Sequence, residues 1–143
     1  MTSHILYLPA SVRTQLENWV EAGYPLETCG LLIGKQNEGQ VRVRRAFAAR
    51  NLNTERAHDR YELAPDDLLA ADEAAQAEGL EIVGIWHSHP EHPARPSETD
   101  RVQAWQGWSY VILSVYQGRV AELRSWRLMG EAFAEESIAA WQT

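Results

Sequence analysis

One cysteine, Cys29, and one lysine, Lys35, stand in 143 residues. A lone thiol makes no intrachain disulfide and cannot build a cluster of cysteines around zinc. The other basic residues are scattered arginines and the formal charge is −7. That balance argues against nucleic acid as the main partner. No apolar run approaches the length that crosses a bilayer, so no membrane partner is expected. The opening MTSHILYLPASV lacks a basic start followed by an apolar stretch of signal-peptide length. A cytoplasmic protein is the expectation. Repeats, low-complexity tracts and linkers are missing too, which predicts a single domain over 1–143 with one sizeable core. What is present is ordinary for a globular chain: 45% apolar and 23% charged residues.

HILYLP (4–9) alternates as a strand does. Val12, Leu16, Trp19 and Val20 recur at helical spacing over 11–22, and Gly23 with Tyr24-Pro25 supplies the stop. TCGLLIG (28–34) is a continuous apolar run, expected of a buried strand. After the polar turn KQNEGQ, residues 40–50 alternate again, so 28–50 predicts a hairpin. NLNTERAHDR (51–60) has no period and reads as a loop, with YEL (61–63) as a short strand. Pro65, Asp66 and Asp67 suit the first turn of a helix that runs to Glu78 and is closed by Gly79. LEIVGIWHS (80–88) is a second apolar strand, 97–105 a short helix, and 109–116 with 119–128 a hairpin across Gln117-Gly118. The tail, 130–143, suits helix and strand equally. Helices interleaved with strands and hairpins predict an α/β fold, a mixed sheet flanked by helices.

The stretch WHSHPEHPARPSETD (86–100) concentrates the chemistry. His87 and His89 lie two apart on a strand, hence on one face, and can converge on one ion. Catalytic zinc takes three protein ligands and keeps one position open. Asp100 is the natural third: Pro90, Pro93 and Pro96 stiffen the return, and Ser97 as a helix N-cap puts Asp100 in the first turn. Ser97 to Asp100 is also a capping-box pattern that needs no metal, and lone histidines are more often structural than ligating.

HSHPEHPARPSETD resembles the H-x-H-P-x6-S-x2-D signature of the JAMM (MPN-plus) zinc metalloproteases. YPLETCGLLIG (24–34) is similar to that family's P-x-E-x-C-G-L-L-x-G stretch. The resemblance runs from the first helix through the 109–128 hairpin and is nearest the compact prokaryotic branch. It implies a cytidine-deaminase-like three-layer domain holding one Zn2+ per chain through His87, His89 and Asp100. It implies Glu27 as general base and acid, and Ser97 as a donor to the oxyanion. On its own, Glu27 reads as a solvated charge at a strand edge. The implied substrate is a ubiquitin-fold protein with a C-terminal Gly-Gly, such as a sulfur carrier, cut at the amide after that glycine.

Two other functions compete with peptidase action: a zinc amidase for small-molecule amides, and a metal-free scaffold, which should lack one or more of the five residues. A zinc deaminase is excluded, because it needs H-x-E and P-C-x-x-C. Cys29 reads as a small buried hydrophobe and not a nucleophile. His92 reads as an exposed loop residue, and most of the tryptophans as core.

Overall fold

The computed structural model describes residues 4–141. Along the chain come β1 (Ile5–Tyr7), α1 (Ala10–Gly23), β2 (Cys29–Asn37), β3 (Gln40–Ala49) and α2 (Pro65–Ala77). They are followed by β4 (Glu81–Pro90), α3 (Glu98–Gln103), β5 (Ser109–Tyr116), β6 (Arg119–Met129) and β7 (Ala132–Ala139). Two expectations are settled differently. The ambiguous tail is strand β7, residues 142 and 143 lying outside the described part. YEL forms no strand: Leu63 makes only an isolated bridge to Asn51.

The strands are ordered β1-β3-β2-β4-β5-β6-β7 and the ring closes, because β1 pairs in parallel with both β3 and β7. β4 and β5 are also parallel, whereas β2 pairs with β3 and β4 antiparallel. The mixed α/β fold is therefore as expected, but the sheet is not the open layer that a three-layer arrangement implies. A strand of three residues does this, since its two edges satisfy the edges that β3 and β7 would otherwise leave unpaired.

Alternation gives the ring two faces. Leu6, Leu32, Val41, Val83, Val111 and Leu123 come from strands all round the ring and meet in one cluster, its interior. Val12, Leu16 and Val20 of α1, four apart on one helical face, join that cluster. The opposite face carries Leu31, Ile33, Ile82 and Ile85, which meet Ala71 and Ala75 of α2. Among the described residues no helix is long and apolar enough to cross a membrane.

The turns obey local chemistry. Glu38-Gly39 (φ 49° and 85°) and Gln117-Gly118 (φ 52° and 81°) have the positive dihedrals that tight hairpins require. Gly30 answers a different demand. A Cβ there would lie 1.9 Å from the Phe47 carbonyl oxygen and 2.5 Å from Trp86 Nε1. The bare backbone leaves room for the indole to donate to Phe47 O at 3.0 Å and to stack on Trp19.

β7 is held by charge as well as by its ladder. Arg127 and Glu136, 5% and 4% exposed, pair at 3.0 Å. Ser125 Oγ donates to the same carboxylate at 2.7 Å, and Arg127 Nη2 to Ser109 Oγ at 3.2 Å. Removing one partner of a buried pair strands the other, at a cost of about 3–5 kcal/mol, whereas an apolar replacement of both is often neutral. In urea unfolding, Arg127→Met should lose about that much, and Arg127→Met with Glu136→Leu should regain most of it. A double variant as unstable as the single one would remove uncompensated charge as the cause.

Candidate functional site

Two of the three candidate ligands, His87 and His89, stand just before the end of β4. His87 and His89 share a face, their ring centroids 4.9 Å apart. Ser88 between them points the other way, to β2: its N–H donates to Thr28 O at 3.0 Å, and its Oγ accepts from Thr28 N at 2.9 Å. That exchange brings the residue before Thr28, Glu27, to the histidines. Glu27 is 6% exposed and its Oε1 lies 3.5 Å from His87 Nδ1. It is thus buried at the site and not a solvated charge. On the far side of β4, Tyr24 Oη and the Gln117 N–H both donate to Glu91, which ties the segment before Glu27 to the end of the strand.

The proline loop brings Asp100 back. Ser97 caps α3 with its Oγ accepting from Asp100 N at 3.0 Å, and the Ser97 N–H donates to Asp100 Oδ2 at 2.8 Å. The capping box is complete, and the same carboxylate stands 3.1 Å from His89 Nε2 and 3.6 Å from His87 Nε2. Capping and convergence on the histidines are therefore one arrangement and do not compete. The loop also orients His89, whose Nδ1 is 2.8 Å from Pro93 O. Next along, Ala94 O accepts from Trp126 Nε1 at 2.9 Å, which fixes the loop to β6.

His87, His89 and Asp100 each offer a donor atom, all within 4.8 Å of one another. Both ring nitrogens of His87 are buried with no hydrogen-bond partner. Buried polar atoms are nearly always satisfied, so this pair of nitrogens calls for a partner. Burial pulls the His87 pKa down, yet the Asp100 and Glu27 carboxylates outweigh it and the net movement is up. Burial pushes the Asp100 carboxyl up, but His87, the His89 hydrogen bond and the Ser97 amide hold it well below the ordinary carboxylate range. Two dry carboxylates facing two imidazoles favour a positive centre between them. Two imidazoles and a carboxylate, with no thiolate, form a donor set that suits zinc.

A family model described as prokaryotic homologs of the JAB domain matches residues 9–129. The chain belongs to this JAB family. A desampylase of Haloferax volcanii is 36% identical, over 97% of this chain and 99% of its own length. The CysO-cysteine peptidase of Mycobacterium tuberculosis is 30% identical over 96% of this chain and 92% of its own. A solved protein of Desulfitobacterium hafniense superposes with TM-score 0.83 at 26% identity, covering 97% of this chain and 94% of that one. The matched JAB segment ends at the close of β6, so β7 lies beyond it.

A cleft of about 350 Å³ opens onto the group and is lined by Glu27, His89 and Ser97, with Asp59, Arg60, His92, Pro93 and Arg95. His92 is exposed there and stands outside the three-residue group, as expected of a loop residue. Cys29 is 1% exposed, and burial first, then the charges of Glu27 and Asp67, pushes its thiol up to about 12. Two residues of this JAB site escaped sequence reasoning. Tyr61 lies stacked on His87, ring centroids 4.5 Å apart at 28°. Asn51 donates to the carbonyl of Glu27 at 3.1 Å. The loop that holds both has no hydrophobic period, and side-chain bonds to distant backbone leave none.

The two pKa movements set the stability of chelator-treated protein. His87, raised, stabilises the fold fully below its unfolded pKa of about 6.5 and loses this as pH rises through the folded value. Asp100, depressed, stabilises above about 3.9 and loses this as pH falls. The urea midpoint of metal-free protein should therefore fall as pH rises above about 6.5, and Asp100→Asn should flatten that fall. A midpoint indifferent to pH over this range, or a fall unchanged in Asp100→Asn, contradicts the assignment.

Proposed function

We propose that the chain is a zinc metallopeptidase of JAMM type, one domain over 1–143, that cuts the amide after the C-terminal glycine of a ubiquitin-fold carrier. The observation that carries this is the buried carboxylate of Glu27 beside the His87–His89–Asp100 group, opening to a cleft shared with Ser97. The names desampylase and CysO-cysteine peptidase, borne by relatives that span nearly the whole chain, support a carrier-protein substrate. A sulfur carrier ending in Gly-Gly fits this class.

His87, His89 and Asp100 would hold the zinc, which supplies Lewis-acid polarisation of a carbonyl and makes water acidic enough to attack near neutral pH. Glu27 takes the proton of the attacking water. It lies beside the group without belonging to it, so it can hand the proton on to the departing amine nitrogen. Ser97 Oγ spends a lone pair on the α3 cap and keeps its O–H free to donate to the carbonyl oxygen as charge builds there. Pro93 O fixes His89 with Nδ1 protonated, so Nε2 would be the nitrogen it offers to a metal.

The test is mass-spectrometric. Zinc-loaded protein is incubated with ubiquitin-fold carriers extended beyond Gly-Gly, in parallel with Glu27→Gln. The parent should release the extension, and Glu27→Gln should be slower by about 10²–10⁴-fold with its zinc content unchanged. Full zinc with no cleavage of any carrier adduct would favour a small-molecule amidase. Protein that takes up no zinc at all would favour a scaffold.

A further inference from the structure

Glu27 precedes β2 and belongs to no helix or strand, so the sheet ladder does not hold its backbone. One irregular segment does. The Glu27 N–H donates to Ala57 O, and its C=O accepts from Asn51 Nδ2 at 3.1 Å. The same Asn51 nitrogen donates to Arg60 O at 3.0 Å, while Oδ1 accepts from Asn53 N at 3.0 Å and Glu62 N at 2.9 Å. Two donors and two acceptor positions are all that a side-chain amide has, and here every one is used. With the amide turned over, all four contacts would be repulsive, so its orientation is determined. Asn51 thus joins both arms of the loop to the backbone of Glu27.

The second arm carries Tyr61, the residue stacked on His87. A metal-binding histidine ordinarily donates its second ring N–H to a carbonyl or carboxylate, which fixes the ring. His89 has such a partner in Pro93 O at 2.8 Å, whereas His87 has only the Glu27 carboxylate, 3.5 Å from Nδ1 and outside hydrogen-bond geometry. The Tyr61 ring lies against the other surface of that imidazole, stacked on its face, where it limits the tilt of the ring.

We propose that the loop from Asn51 to Tyr61 positions the base against the metal group: Asn51 sets Glu27 through its backbone, and Tyr61 sets the His87 ring by stacking. Both are positioning residues, since each acts through a neighbour. The loop couples the two, because Asn51 bonds the residues on either side of Tyr61. The Asn51 half rests on the peptidase reading, whereas the Tyr61 half needs only the metal.

The test measures zinc affinity by competition with a chromophoric chelator, beside kinetics on a carrier extended by one residue past Gly-Gly. Tyr61→Phe keeps the ring and should hold zinc within about twofold of the parent, while Tyr61→Ala should bind it about 10–100-fold more weakly. Asn51→Ala should keep parental zinc affinity and KM but lose about 10–100-fold in kcat. If Asn51→Ala does not fold, Asn51→Asp, which keeps the bonds accepted by Oδ1 and loses those donated by Nδ2, carries the same expectation. Tyr61→Ala with parental zinc affinity overturns the proposal. So does an Asn51 variant with parental kcat, or one that loses kcat and zinc affinity in step, as general unfolding would. A parent that cleaves no carrier refutes the peptidase reading instead. Amide exchange at Glu27 then decides the Asn51 half: it should quicken about tenfold or more in the variant, and an unchanged rate overturns it.

Discussion

Cys29 stands opposite His87 in the β2–β4 ladder, and one residue further out Thr28 and Ser88 close the pairing with two bonds. The site depends on this register. Side chains alternate along a strand, so a slip of one residue would turn His87 and His89 into the opposite face and carry Glu27 away from them. The apolar residues of both strands oppose such a slip. Leu31 and Ile33 serve the α2 face while Leu32 serves the interior, as Ile85 and Trp86 do on β4. Core burial thereby fixes where the Glu27 carboxylate and two imidazoles meet. The chemistry inherits its geometry from packing that has no chemical part in it.

A second constraint follows from dryness. Glu27 and His87 lie where an unpaired charge is costly, so the group is tolerable only if charges balance. A proton on His87 would balance the carboxylates in part, and a divalent cation held there would do so more fully. The α3 cap contributes to the same balance, since the Ser97 N–H bonds the carboxylate that faces the histidines. A local helix-start signal has thus been drawn into the electrostatics of the site. Buried charge at β7 follows the same rule by other means, with Arg127 and Glu136 neutralising each other inside the ladder.

Much of this could be read from the sequence because it is written in short periods. Both hairpins, α1, α2 and the strand that carries the histidines have local patterns, and His87, His89, Ser97 and Asp100 fall within a span that three prolines hold together. Three features could not be read in this way. Ring closure depends on both edges of β1 finding partners, and the alternation of HILYLP marks a strand without saying what it pairs with. β7 is rich in alanine and glutamate, residues that favour helix, and its strand form comes from pairing with β6 and from the buried Glu136. The loop from Asn51 to Tyr61 has no period at all, and its order comes from side-chain and backbone bonds that no local pattern announces, the saturated Asn51 amide and the Tyr61 ring on His87 among them.

Cys29 shows how closely the fold discriminates among donors. It faces His87 across the ladder, and a thiolate is a strong zinc ligand, so the position could compete with Asp100. Two features oppose this. Burial and the neighbouring carboxylates push its thiol up to about 12, so it stays protonated near neutral pH. Its Sγ is turned toward the Arg50 carbonyl, at 3.9 Å, and so toward the backbone beside Asn51. The loop that holds Glu27 in place therefore also gives the cysteine somewhere else to point. An oxygen donor, Asp100, is what the fold brings to the two imidazoles, with the Glu27 carboxylate beside the group.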